Sequence, residues 1–241
     1  MGCLLKGGGG LHSRLVVGAV LLAAGEGARM GGRPKSLLEL GGVPLIRRQL
    51  IALSGAGVDE VVVVLGHHAE HIEPVVQAFP VTLARNLAPQ DGQVSSLRIG
   101  LAAFTGKLDA VLVALADQPL INAQDVTSLI AAYKQRAEGT SVVVPMVGGE
   151  PGNPVMFSAE VREQILSSGA NVGCRQWRAA NPQAVHAFVT DNRRFRVDVD
   201  TEEDIARFER DTGHCLRWPA ALEGAVSADL PATRARVDPC H

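Results

Sequence analysis

Neither sign of charge dominates this sequence. Its 241 residues carry 23 Lys and Arg against 25 Asp and Glu, a formal net charge of −2, and the signs are mixed along the chain. Without a basic stripe there is no electrostatic footprint for nucleic acid or for an anionic membrane surface, so small anionic ligands must be met by local charges. Cysteine is scarce too. The four are Cys3, Cys174, Cys215 and Cys240, with no C-x-x-C pair to bind zinc or form a redox dithiol. Reduced thiols are expected, with Cys174 a small buried or loop residue before it is a catalytic one. No apolar run is long enough for a signal peptide or a membrane span, which points to a cytoplasmic protein. Met1-Gly2 followed by Lys6 misses the myristoylation pattern, and residues 1–14, with four consecutive glycines, read as a flexible leader.

Present instead is an alternation of apolar runs and amphipathic stretches. Residues 16–22, 61–65, 81–83, 110–115 and 142–144 predict strands; 45–53, 69–79, 95–104 and 124–137 predict helices. This rhythm implies an α/β fold, a single doubly wound, mostly parallel sheet of Rossmann-like kind, in one domain over 15–212. Between 148 and 194 the elements shorten and Gly and Asn turns intervene, which suits a smaller substrate-facing excursion. A last strand over 195–199 leads into a helix from Thr201 to Asp211 with a Thr201–Asp204 capping box. The stretch 213–241 lacks periodicity and reads as a mobile tail.

The first strand opens into Ala23-Ala24-Gly25-Glu26-Gly27-Ala28-Arg29-Met30-Gly31-Gly32-Arg33-Pro34-Lys35. Glycines at 25, 27, 31 and 32 permit φ > 0 and bring backbone N–H groups close to phosphate oxygens, while Arg29 and Lys35 add charge that amides cannot. The loop reads as a nucleotide cradle, where the plain alternative is a strand-to-helix connection with solvated cations. A P-loop is excluded because Lys35-Ser36 follows Pro34, which has no N–H. A dinucleotide fingerprint fails at Met30, where a third glycine is needed.

Further chemistry gathers where strands end. Asp117 follows the strand at 110–115, in a turn stiffened by Pro119, and suits a Mg²⁺ ligand or a turn carboxylate satisfied by backbone N–H groups. Asp198 and Asp200 share one face of the last strand; they complete the metal site, or one of them caps the next helix. Gln93 and Ser95 can hydrogen-bond a base or ribose, with capping by Ser95 or Ser96 as the alternative. His67, His68 and His71 have metal-compatible spacing without carboxylate partners, and read as a solvated or capping cluster.

Leu22-Ala23-Ala24-Gly25, Arg29-Met30-Gly31, Lys35 and Gly42-Val43-Pro44-Leu45 resemble the molybdenum cofactor cytidylyltransferase family of the MobA-like NTP transferase superfamily. The likeness continues through Asp91-Gly92-Gln93-Val94-Ser95-Ser96-Leu97, Asp117-Gln118-Pro119, Gly152-Asn153-Pro154-Val155-Met156-Phe157 and Asp198-Val199-Asp200-Thr201-Glu202-Glu203-Asp204. It spans nearly all of 16–211. The resemblance implies Mg²⁺-dependent transfer of CMP from CTP to the terminal phosphate of molybdopterin, with pyrophosphate released. It implies catalytic roles for Arg29, Lys35 and Asp117, and nucleotide contacts from Leu22, Ala23, Ala24, Gly25, Gly27, Gly92, Gln93 and Ser95. Asp117 with Asp198 or Asp200 would hold the metal, and Asn153, Pro154 and Arg175 the acceptor. Ala24, where the purine-using branch has Gly, implies CTP. Gly169-Ala170-Asn171-Val172-Gly173-Cys174-Arg175 departs from the family's pattern by lacking its Asp. Two alternatives remain: transfer to another small phosphate such as a sugar phosphate or phosphocholine, and a chaperone handing the cofactor to a client molybdoenzyme.

Overall fold

The computed structural model describes residues 14–223; the expected leader, Arg14 apart, and most of the expected tail lie outside them. In chain order the elements are β1 (Val17–Ala23), β2 (Glu39–Leu40), β3 (Val43–Pro44), α1 (Leu45–Gly55), β4 (Glu60–Leu65), α2 (Ala69–Val76), β5 (Thr82–Arg85) and α3 (Gln93–Ala102). There follow β6 (Ala110–Leu115), α4 (Ala123–Lys134), β7 (Val142–Val147), β8 (Glu150–Pro151), β9 (Val155–Ser158), α5 (Ala159–Ser167), α6 (Cys174–Ala180) and β10 (Val185–Val189). The last are α7 (Glu202–Thr212), β11 (Leu216–Arg217) and α8 (Ala220–Glu223).

The main sheet runs β10-β7-β9-β6-β1-β4-β5, with β8 added to β7. β1 pairs in parallel with β4 on one side and β6 on the other, and β9 is inserted antiparallel between β6 and β7. Every residue of β1 is buried, as a strand covered on both faces requires. Its alternate side chains serve two clusters. Val17, Ala19 and Leu21 meet Ile46 and Leu50 of α1, Ile72 of α2 and Leu129 of α4. Val20 and Leu22 meet Leu101 of α3, Ile165 of α5 and Trp177 of α6. The period of two thus builds both layers from one apolar run. Because the chain leaves β1 toward opposite neighbours, the crevice at the carboxyl ends of β1, β4 and β6 is where a ligand fits.

Two expectations are corrected. Residues 195–199 form no strand: Arg193–Arg196 is a 3₁₀ turn, and the extended residues after it find no strand partner. Phe195 and Val199 are nonetheless buried, so the alternation in the sequence is real, but it serves packing and not a ladder. The packed chain also continues past the boundary expected at 212. Leu216 is buried, pairs with Leu40 and joins Met30, Leu45, Val199 and Phe208 in a third cluster. The Thr201–Asp204 capping box of α7 is formed as expected. Cys174 is a free thiol. No described helix is long and apolar enough to cross a membrane.

Candidate active site

β1 delivers the chain to the carboxyl edge of the sheet, and the loop turns at once. Gly27 has φ +69°, and a Cβ there would lie 2.0 Å from the carbonyl oxygen of Arg33, so only glycine closes this coil. Met30 and Gly32 donate their N–H groups back to the Gly27 carbonyl at 2.8 and 3.0 Å. Arg33, unremarked in the sequence, staples the far side. Its Nε donates to the Met30 carbonyl at 3.0 Å, its guanidinium lies 4.2 Å over the Trp218 ring, and it pairs with Glu202. Such a stacked, forked contact needs Arg specifically.

Lys35 follows in a short 3₁₀ turn and is the electrostatic centre of the site. Its Nζ lies 2.7 Å from Asp117 Oδ2, at the end of β6, and also donates to Asp200 Oδ1. Burial alone would lower the pKa of Lys35; the charges of Asp117 and Asp200 outweigh it and raise it. For Asp200 burial pulls upward, but Lys35 and then Arg29 hold it below the usual carboxylate range. Asp198 moves the other way, raised by burial and by the charges of Asp117 and Asp200. Arg29 reaches Asp200 Oδ2 at 3.1 Å with its side chain 68 % exposed, against 19 % for Lys35. The two cations paired by the sequence are therefore unequal: Lys35 is built in and Arg29 leans over the rim.

A cleft of about 490 Å³ opens at this edge. Leu22, Ala23, Ala24, Gly25, Lys35, Gly92, Gln93, Asp117, Asp198 and Asp200 line it. Gly27, Arg29 and Ser95 stand outside its lining. Asn86 donates to Ser95 Oγ at 3.1 Å and to Ser96 Oγ at 2.9 Å. Neither serine caps α3, whose N-cap is Gly92, so the capping alternative gives way to this contact. Neither Asp198 nor Asp200 caps α7. Asn153, Pro154 and Arg175 do not reach the cleft. The turn at 152–154 is used for packing: a Cβ on Gly152 would fall 2.6 Å from the Phe195 carbonyl oxygen, which accepts the Asn153 N–H at 2.8 Å. Arg175 is exposed on α6.

Glu26, Ser36, His67, Pro89 and Gln90 also line the cleft and were not singled out as ligands. His67 Nδ1 lies 3.2 Å from the Ala24 carbonyl and His68 Nε2 lies 2.8 Å from that of Glu26. A carbonyl only accepts, so these ring nitrogens carry the protons. The histidines brace the loop, a use their spacing did not disclose.

Asp117 Oδ1 is buried with no hydrogen-bond partner among the described residues. A buried carboxylate oxygen without a donor is costly unless a cation or ligand completes it. No group of three metal-ligating side chains is gathered among the described residues. Asp117, Asp198 and Asp200 all line the cleft, and carboxylate oxygens are the hard donors that a divalent cation such as Mg²⁺ takes.

The match to known proteins agrees with this geometry. Residues 19–186 match the model of the MobA-like NTP transferase domain. The chain is 31 % identical over 196 residues to the nicotine blue oxidoreductase of Paenarthrobacter nicotinovorans, covering 79 % of this chain and 95 % of that one. It is 38 % identical over 147 residues to the bifunctional enzyme IspD/IspF of Clavibacter michiganensis, 58 % of this chain and 33 % of that one. The chain thus spans about a third of that bifunctional relative. Among solved structures, a nucleotidyl transferase from Methanothermobacter superposes with TM-score 0.66 at 26 % identity, over 81 % of this chain and 97 % of that one. With glycine loop, buried lysine and paired carboxylates at the carboxyl edge of a mostly parallel sheet, this chain belongs to the MobA-like NTP transferase domain family.

Proposed function

We propose that this chain transfers CMP from CTP to the terminal phosphate of molybdopterin, releasing pyrophosphate, as a Mg²⁺-dependent cytidylyltransferase. One observation carries the reading: Lys35 is lodged between Asp117 and Asp200 beside the glycine loop, while Asp117 keeps one buried oxygen without a donor. The acceptor phosphate oxygen forms a bond to the α-phosphorus, the α–β bridging bond breaks, and its electrons leave with pyrophosphate. Negative charge builds on the phosphate oxygens, and fixed cations in a half-buried cleft stabilise it where water would do so poorly. Lys35 supplies the inner charge and Arg29 the outer. Asp117 with Asp198 or Asp200 would hold Mg²⁺, whose chemistry is to screen the triphosphate charge. Leu22 to Gly25, with Gly92 and Gln93, bound the room for base and ribose. Ala24 leaves less space than Gly and supports CTP over GTP. The acceptor and a client molybdoenzyme rest on the family resemblance; a cytoplasmic setting without nucleic-acid or membrane partners rests on the mixed charge and the lack of a long apolar run in the sequence.

The relative named an oxidoreductase supports a second reading, in which the same cleft holds a redox nucleotide. Pyrophosphate release from each of the four NTPs, with and without molybdopterin, is the test, run beside oxidation of NADH and NADPH. Release from CTP dependent on molybdopterin is the expected outcome. Silence with every NTP, with turnover of a reduced nicotinamide nucleotide, would overturn the first reading in favour of the second.

A further inference from the structure

Asp125 is the most deeply buried carboxylate described, 1 % exposed, and it lies outside the cleft. It sits in the first turn of α4, eight residues after Asp117, on the continuous segment that leaves the cleft. Its Oδ2 accepts the N–H of Asn122 at 3.0 Å and Arg194 Nε at 2.9 Å. Its Oδ1 accepts the other arm of the Arg194 fork at 2.8 Å and Asn192 Nδ2 at 2.7 Å. Asn122 and Asp125 cap α4 reciprocally, so the carboxylate is fixed from its own helix before the arginine arrives. Arg194 and Asn192 lie just upstream of Asp198 and Asp200.

The two segments are joined at their other ends as well. The N–H of Val199, between the two cleft aspartates, donates to the carbonyl of Asp117 at 3.2 Å. Between these ties, the Phe195 carbonyl accepts from Gln118 Nε2 at 3.3 Å and from the Asn153 N–H. Residues 192–199 have no strand partner among the described residues, so these contacts and the burial of Phe195 and Val199 place the segment, while Asp200 is also held by Lys35, by Arg29 and by its own N–H donating to Asp204 Oδ2 at 3.0 Å. A bidentate Arg–carboxylate pair fixes orientation as well as distance, whereas the single bond at Val199 fixes distance alone.

We propose that the Asp125–Arg194 pair is a positioning clasp. It binds no substrate; it sets the register between the segment after Asp117 and the segment before Asp198 and Asp200, so that carboxylates from two distant parts of the chain converge on one cation. The inference rests on the metal-dependent reading above, and its test separates the two.

The variants are Asp125→Asn and Arg194→Lys, with the neutral double variant Asp125→Asn/Arg194→Gln in reserve because it leaves no unpaired charge in the interior should a single variant fail to fold. Two measurements are made on folded protein. Hydrogen exchange without ligand should quicken about tenfold in the peptide containing Val199 and stay unchanged in β1 and β4, as local release and not global loosening requires. Titration of Mn²⁺ in the presence of CTP, followed by the paramagnetic signal of free Mn²⁺, should show affinity weakened roughly tenfold, the lower end for residues that orient metal ligands. Arg194→Lys, keeping charge but losing the fork, should fall between wild type and Asp125→Asn. Wild type that binds no Mn²⁺ with CTP overturns the metal reading, and the clasp is then judged by exchange. Unchanged exchange around Val199 overturns the clasp, as does unchanged Mn²⁺ affinity in variants of a wild type that binds it.

Discussion

The two halves of the main sheet use similar-looking sequence for different work. In the half built from β1, β4, β5 and β6 the strands are parallel, so every loop at the carboxyl edge faces the same crevice, and the conspicuous residues Ala24, Gly92 and Asp117 line the cleft. In the half built from β7, β9 and β10 the antiparallel β9 reverses the chain. The turn ahead of β9, Gly152-Asn153-Pro154, looks like a ligand motif but packs against Phe195. A glycine followed by an amide side chain marks a turn in both halves: Gly92-Gln93 lines the cleft, while Gly152-Asn153 packs against the protein's own backbone.

The sharpest way to break the contrast is to remove charge from the parallel half. Lys35→Ala and Asp117→Ala should each lower turnover at least ~10²-fold with native circular dichroism, because each removes charge stabilisation or metal from the transition state. Chelation should abolish turnover and Mg²⁺ restore it, while Zn²⁺ should neither restore it nor co-purify stoichiometrically, the donors being hard oxygens. Near wild-type turnover in either variant at saturating CTP and Mg²⁺ would remove that residue from the mechanism.

In the other half the same kind of change should strike stability. Gly152→Ala places a methyl 2.6 Å from the Phe195 carbonyl oxygen, a backbone atom that cannot swing aside, and should cost about 1–3 kcal/mol as overpacking does. Urea unfolding measures it. Arg175→Ala, an exposed change outside the cleft, should leave stability within about 0.5 kcal/mol. A larger loss of CTP affinity in Arg175→Ala than in Lys35→Ala would erase the distinction between the halves.

The parallel half was the more legible because its signals are local. Apolar runs such as 61–65 and 110–115 announce strands buried on both faces, and a glycine-rich turn after one of them announces a loop at the ligand edge. What stayed hidden depends on residues far apart in the chain. Arg33 meets Trp218 across the third cluster, Asp125 meets Arg194, and His67 meets the carbonyl of Ala24. No spacing rule reaches such pairs. The segment 195–199 misled for a different reason: Phe195 and Val199 alternate because both enter the core, and burial sets that period whether or not a neighbouring strand exists.

Within the cleft a smaller effect refines the comparison. Ala24 lines the cleft yet is only 7 % exposed, and its methyl packs in the cluster with Val64 and Leu97. Ala24→Gly should therefore shift the ratio of kcat/KM for CTP over GTP toward GTP by about tenfold, near the lower bound for a single pocket methyl. Competition between the two nucleotides reads it. An unmoved ratio would mean that the methyl serves packing alone, as Gly152 serves it in the other half.

The smallest effect belongs to Cys174, where the antiparallel half holds the one cysteine that sequence reasoning considered for chemistry. Its thiol opens α6 against the cluster containing Trp177, and burial pushes its pKa up to about 12 despite the nearby charge of Arg178. Only the thiolate is an effective nucleophile, so below that pKa its population rises tenfold per pH unit. At pH 8 an ordinary thiol, of pKa about 8.5, is roughly a quarter ionised and Cys174 about one part in 10⁴, so alkylation of the folded protein should be about 10³-fold slower than that of a model thiol. The sign follows from the direction of the shift: raising the pH from 8 to 10 should speed alkylation of Cys174 about a hundredfold while the model thiol gains only a few-fold. Peptide mapping after timed iodoacetamide exposure resolves Cys174 from the other cysteines. Cys174→Ser should leave CTP-dependent turnover within about twofold, since the residue lies outside the cleft. Rapid alkylation at neutral pH, or turnover that falls with the serine, would bring the second half into the chemistry after all.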